Sequence, residues 1–334
     1  MKVNILFSFK NGPSGGGNHF LSLLHSEYLK MGIYENDPIK SDIVIVNSYH
    51  NLIKAAKLKN HYPNIKLVFR LGPIFYYHRG NIWKLMDKFI IALANKIADG
   101  IIFQSHWSLA EANKLGFNAQ KNWRIVYNTA GQTFYRDDNF IKNHSKIKIL
   151  AASWSSNKNK GSGYYEYLDK HLDFSKYQMS FIGNSPVKFK NIAILSPLDG
   201  KSLAQELKAA EMFIFAAKDD ACSNMLIEAM AAGLAVVALN SGGSSELAQF
   251  GNCKLFSNEK ELLDAIAGLV VSVDHRSGLG TAVTLPTPET VAREYLSVID
   301  QDKKATECSF WLVLKVRFYI SLFVLIGKLK FIYG

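Results

Sequence analysis

The sequence predicts an α/β protein made of two Rossmann-like halves facing each other across a cleft. Three observations lead there. At 334 residues the chain exceeds the usual size of one domain. Short, β-branched, apolar runs alternate with helical patterns, the signature of parallel sheets with helices on both faces. That alternation breaks once, at residues 131–146, and then restarts.

In the first half the strand-like runs are KVNILFSF, DIVIVNS, KLVFRL, GIIFQS and WRIVYN. Between them lie HFLSLLHSEYLKMG and WKLMDKFIIALANKIAD, whose apolar residues recur at helical spacing. GQTFYRDDNFIKNHSK, residues 131–146, is polar and non-periodic and reads as a linker. The second series runs KIKILAAS, YQMSFIGN, NIAILS, MFIFAA and LAVVALN. The expected domains are therefore residues 1–140 and 146–300, followed by a distinct tail at 309–334.

An apolar share of 48% and a charged share of 20% suit a globular protein with sizeable cores. The net charge of +11 is uneven. Residues 1–142 carry 18 Lys and Arg against 9 Asp and Glu, and residues 309–334 carry four basic residues and no acid. The stretch between them is close to neutral. Such a balance faces either nucleic acid or an anionic membrane, and the tail favours membrane. FWLVLKVRFYISLFVLIGKLKFIYG is apolar and aromatic, which nucleic acid would not require. Lys315 and Arg317 interrupt it, so a helix lying in the interface fits better than a spanning one, the alternative being a helix packed back on the protein. The three cysteines, Cys222, Cys253 and Cys308, show neither disulfide nor metal-ligand spacing, as befits a reducing cytosol. MKVNILFSFK lacks the long apolar core and cleavage site of a signal peptide.

Three stretches have the composition of a site. NGPSGGGNHFLSLL, residues 11–24, sets Gly15, Gly16 and Gly17 between a strand and a helix, where backbone N–H groups can approach an anion, with Asn18 as a helix cap. It matches neither the dinucleotide fingerprint nor a P-loop. ASWSSNKNKGSGYYEYL, residues 152–168, follows the first strand of the second half. There Lys160 can neutralise a diphosphate and Ser153 and Ser155 can add hydrogen bonds. In DDACSNMLIEAMAAGLAVVALNSGG, residues 219–243, a strand-end loop holds Asp220. A helix then runs from near Asn224 to Gly233, and it carries Glu228 one turn in. That glutamate either faces solvent or points into the cleft toward a partner.

These residues resemble the retaining glycosyltransferases of the GT-B fold, family 4 (glycosyl transferases group 1). The pattern Glu-x7-Glu, Ala-Met-Ala-x-Gly-x-Pro-Val-Val and Gly-Gly is met by Asp220-x7-Glu228, AMAAGLAVV and Ser241-Gly242-Gly243. WSSNKNKG matches a version of the phosphate loop, and FRLGP, IIFQSHWS and VYN match further segments. The resemblance implies that Glu228 bonds the nucleotide ribose and Asp220 the donor sugar, with the amides of Ser223, Asn224 and Met225. Lys160 would stabilise the leaving diphosphate, which the Gly15–Gly17 loop approaches as well. On the acceptor side it leaves Asn18 and Arg70 as candidates.

There are departures. Asp220 is one methylene shorter than the usual Glu, and Ala235 replaces Pro. Trp154-Ser155 stands where an Arg often precedes Lys-Gly, and Arg70 is the nearest occupant of a position usually held by His. The implied protein moves a sugar from a UDP- or GDP-type donor to a hydroxyl of a glycan or lipid-linked acceptor, in cell-surface polysaccharide or glycolipid synthesis. It needs no obligatory metal or other cofactor and no nucleic acid, and works in the cytoplasm, peripherally on the inner face of the membrane. A sugar-nucleotide epimerase or hydrolase of the same fold is the alternative.

Overall fold

The computed structural model describes residues 1–10, 16–72, 74–136, 145–155, 157–185, 187–272, 284–300 and 304–333. The chain divides into two compact units. The first comprises Met1–Phe9, Leu24–Val126 and Glu289–Gly334, and the second Lys10–Leu23 and Tyr127–Pro288.

The first unit holds five parallel strands in sequential order: β1 (Val3–Ile5), β2 (Ile43–Asn47), β3 (Lys66–Leu71), β4 (Gly100–Phe103) and β5 (Trp123–Ile125). Every residue of β2 is buried, which is why IVIVN reads as a continuous apolar run rather than an alternating one. The helices are α1 (Gly16–Lys30, whose first half counts with the second unit), α2 (Leu52–His61), α3 (Tyr76–Arg79), α4 (Ile82–Ile97) and α5 (His106–Lys114). On α4 the buried residues Met86, Ile90, Leu93, Ala94 and Ile97 follow the 3.6-residue period and face the sheet. Ser105 caps α5 in a reciprocal pair with Ser108.

The second unit holds β6 (Ile147–Ser153), β7 (Tyr177–Gly183), β8 (Ala193–Leu195), β9 (Met212–Phe215), β10 (Ala235–Leu239) and β11 (Cys253–Phe256). All pair in parallel in the order β11-β10-β9-β6-β7-β8. The chain winds from β6 outward to β8, then returns to β9 on the other side. The switch point therefore lies between β6 and β9, where open α/β sheets receive ligands at the strand C-termini. The helices are α6 (Ser162–His171), α7 (Gly200–Lys208), α8 (Asn224–Ala231), α9 (Ser244–Leu247) and α10 (Glu259–Ser272). The chain then closes with α11 (Pro288–Ser297) and α12 (Phe310–Tyr333).

The stretch read as a linker is only partly one. Gln132–Phe134 forms a 3-10 turn, and Phe134 is buried with Ala130 in the apolar core of the second unit beside Leu226 and Met230. Its aromatic ring outweighs the polarity of its neighbours. Residues 137–144 lie outside the described residues. The tail packs back on its own unit while leaving one face in solvent: Val313 and Val316 are buried, and Trp311 and Phe318 are exposed. All three cysteines are free thiols.

Candidate active site

Loops at the C-terminal ends of β6, β9 and β10 converge in the second unit, drawn together by glycine contacts. After β6, the Ser153 hydroxyl donates to the Ser155 carbonyl (2.7 Å) and accepts from its N–H (3.2 Å), turning the chain. Both serines are used within the loop. Asn157 caps a 3-10 turn over Lys158–Lys160, which ends at Gly161 with φ +95°. A Cβ on Gly161 would lie 2.5 Å from the Ala216 Cβ, so only glycine lets this loop meet the end of β9. The Lys218 N–H closes the contact on the Asn159 carbonyl at 2.9 Å.

The loop after β9 is fixed against that after β10. Asp219 takes φ +54°, and its N–H donates to the Ser241 hydroxyl at 3.0 Å. Gly243 N–H donates to the Asp220 carbonyl at 2.8 Å. Gly242 has φ +63°, and a Cβ there would sit 2.5 Å from the same carbonyl oxygen. So fixed, Asp220 accepts from the Cys222 N–H with Oδ1 (3.3 Å) and from Lys160 Nζ with Oδ2 (2.9 Å). Lys160 and Asp220 are both partly exposed.

Helix α8 follows, with Ser223 as its cap. Its first residue is bonded on both sides. Asn224 Nδ2 donates to the Gly16 carbonyl (2.8 Å), and Asn224 Oδ1 accepts from Asn128 Nδ2 (2.7 Å). Asn128 also donates to the Cys222 carbonyl (2.9 Å) from its side chain and to Cys222 Sγ (3.2 Å) from its backbone. One turn in, Glu228 is buried at 3% exposure. It does not face solvent: its Oε1 lies 2.9 Å from His19 Nδ1, on the first turns of α1. Burial raises the Glu228 carboxyl, and the His19 hydrogen bond offsets part of the rise. His19 is raised in turn, chiefly by its bond to Glu228.

Of the expected site residues, Lys160, Asp220, Ser223, Asn224, Met225 and Glu228 share this region with Gly16 and Gly17, which open α1. Gly15 lies outside the described residues. Two expectations change. Asn18 does not cap the helix, which starts two residues earlier at Gly16. Its side chain instead brackets Lys10, accepting from the N–H (2.9 Å) and donating to the carbonyl (3.2 Å). Arg70, named as an acceptor-side candidate, is buried rather than set at an open loop edge. In the first unit its guanidinium is buried and donates to Tyr295 Oη (3.0 Å), Asn47 Oδ1 (2.9 Å) and Gln104 Oε1, bracing three elements. Two residues escaped the sequence reading, His19 and Asn128. Both lie in segments noted there, GGGNHF and VYN, but nothing local marks their partners.

Electrostatically the region offers a partly exposed cation beside a carboxylate and the N–H groups of a helix start. Next to these lies a buried carboxylate held by an imidazole. That set suits a ligand with both anionic oxygens and hydroxyls. Among the described residues, no group of three or more His, Cys, Asp or Glu side chains gathers to hold a metal ion.

Residues 174–272 match the family described as glycosyl transferases group 1. Among solved structures, HepE of Anabaena in complex with UDP-glucose superposes with TM-score 0.64 at 15% identity, over 90% of this chain and 96% of HepE. Sucrose-phosphate synthase from Thermosynechococcus elongatus gives TM-score 0.62 at 12% identity, over 97% and 100%. A glycosyltransferase from Rickettsia africae gives 0.53 at 15%, over 94% and 83%. No curated protein matches the sequence. The fold is therefore GT-B, and the protein is a glycosyltransferase. Its similarity to the group 1 family lies in the part of the second unit that carries Asp220 and Glu228.

Proposed function

We propose that this glycosyltransferase moves a sugar, with retention of configuration, from a UDP- or GDP-type donor to a hydroxyl of a glycan or lipid-linked acceptor, in cell-surface polysaccharide or glycolipid synthesis. The second unit binds the donor and the first the acceptor. The observation that supports this most is the convergence of Lys160, Asp220 and the start of α8 on the switch point between β6 and β9. UDP-glucose in HepE makes a uridine donor the first to test.

In this reading Glu228 accepts hydrogen bonds from the ribose hydroxyls and Asp220 from the donor sugar. As the glycosyl–phosphate bond loosens, charge grows on the diphosphate. Lys160 and the amides of Ser223, Asn224 and Met225 then stabilise it, with the glycine-rich start of α1 on the same anion. The departing phosphate oxygen takes the acceptor proton on the face it leaves, so no side-chain nucleophile is required. The enzyme works in the cytoplasm, peripherally on the inner membrane face, its basic first unit and tail toward anionic lipid.

Thermal-melt screening of sugar nucleotides tests the donor half. A true donor at 100 times its Kd stabilises by about 2.7 kcal/mol, and Glu228→Ala removes the shift. Nucleoside diphosphate release that needs an acceptor supports transfer. Equal release without one sinks it in favour of the hydrolase or epimerase reading.

A further inference from the structure

The tail helix α12 is long and apolar enough to cross a bilayer: its window Phe310–Gly327 has mean hydropathy 1.9 and is only 11% buried. Its contacts argue against crossing. Thr306 leads into it, donating through its N–H to Asp99 Oδ1 (2.6 Å) and through its hydroxyl to the Ile97 carbonyl (2.7 Å). Asn60 of α2 donates to the Cys308 carbonyl at 2.7 Å. Along the helix, Val313 and Val316 enter the apolar core that α2 and α4 share. Tyr319 stacks on Phe89 of α4 with centroids 4.1 Å apart, and its hydroxyl donates to the Leu85 carbonyl (2.8 Å). Phe323 meets the Trp83 ring edge-on at 5.1 Å. A spanning helix would have to withdraw all of these from the core of its own unit.

The opposite face of α12 is bare. Trp311, Phe318, Leu322 and Leu325 recur at spacings of seven, four and three, one stripe along the helix, and all are exposed. Leu85 of α4 is exposed beside it. The three helices that meet here carry exposed cations and no exposed acid, and the exposed Glu307 just before α12 is held by Lys304 at 2.8 Å. Lys54 and Lys57 of α2, Lys84 and Lys88 of α4, and Lys315 and Arg317 of α12 are all exposed. The three helices contain a single carboxylate, Asp87, which is buried and turned inward onto the N–H groups of Phe75 (3.2 Å) and Tyr76 (2.9 Å).

We propose that the α2–α4–α12 face docks on an anionic phospholipid surface, with α12 lying flat. The aromatic and aliphatic stripe enters the boundary between headgroups and chains while the surrounding cations meet the phosphates. The one-signed charge selects this partner. A nucleic acid would use the cations and leave the stripe in water, whereas a bilayer uses both. The inference deepens the membrane part of the function proposed above, and names the surface responsible.

Flotation of the full chain with phosphatidylcholine vesicles, with and without phosphatidylglycerol, tests it. Wild type should float with the anionic vesicles and come off in high salt. Lys84→Glu/Lys88→Glu/Lys315→Glu should weaken partitioning by at least about fivefold per site, the effect of losing one cation near such a surface. Trp311→Ser/Phe318→Ser/Leu322→Ser should weaken it at least tenfold on the same vesicles. Equal binding to neutral vesicles, indifference to both variants, retention through high-salt and alkaline washes, or binding only to duplex DNA would each overturn the proposal. The donor-induced melting shift, measured on the same samples, separates the two readings. Its retention in the variants shows that the fold and donor site stand. Its absence from wild type, with vesicle binding intact, removes the transferase reading and leaves the docking surface.

Discussion

Lys160 Nζ stands 2.9 Å from Asp220 Oδ2, so the cation proposed for the diphosphate and the carboxylate proposed for the sugar occupy each other. Both are partly exposed, so the pair contributes little to stability and parts readily. Lys160→Ala should therefore leave the melting temperature nearly unchanged and lower kcat about 100- to 1,000-fold, the cost of one preorganised charge on a leaving group. Steady-state kinetics with the donor found by screening gives the number. An unchanged kcat would remove Lys160 from the mechanism.

The His19–Glu228 bond predicts a pH dependence whose sign is fixed. His19 is raised above its unfolded value by its partner, so the bond's contribution is complete below about pH 6.5 and fades as pH rises through the folded value. His19→Gln should narrow its melting-temperature deficit against wild type between pH 6 and pH 8, a window set around the ordinary imidazole value. In Glu228→Gln the His19 resonance should titrate lower than in wild type. An identical titration in both proteins would mean that the pair does not persist in solution.

Asp87 behaves differently, because burial pushes its carboxyl up to about 6 despite the two N–H groups it accepts from. A raised carboxyl favours the folded state below its unfolded value, and that advantage is lost as pH climbs through about 6. Asp87→Asn keeps a neutral acceptor. Relative to it, wild type should lose about 2–3 kcal/mol of unfolding free energy between pH 4 and pH 7, since a tenfold change in proton affinity is worth about 1.36 kcal/mol. Urea melts at the two pH values measure this directly.

Gly242→Ala tests the loop geometry. Its φ of +63° costs an L-residue about 1–2 kcal/mol, and the new Cβ would press the Asp220 carbonyl from 2.5 Å. Stability should fall by at least that amount, and kcat/KM should fall further than in an equally destabilised variant of the first unit. Parallel losses would detach this turn from the site.

Features that local chemistry specifies were legible in the sequence. The start of α8 near Asn224 and its stop at Gly233, which has φ +73°, follow from a cap residue and a left-handed glycine. The strand runs were most legible where both faces of the sheet are buried, as in β2, β4, β9 and β10. Long-range partnerships were not. Arg70 looks like a loop-edge cation until Asn47, Gln104 and Tyr295 reach it from 23, 34 and 225 positions away. His19 carries no local mark of its partner either. Phe134 was hidden in a polar stretch because one buried ring suffices to anchor a turn, and no periodicity announces it.

The bond from Asn224 to the Gly16 carbonyl joins residues 208 positions apart within one unit. During synthesis at about 5–20 residues per second, the start of α1 thus waits roughly 10–40 s for the helix it docks on. Through that interval the glycine-rich segment is nascent chain without its partner. The proposed donor side can be completed only after most of the second unit has left the ribosome.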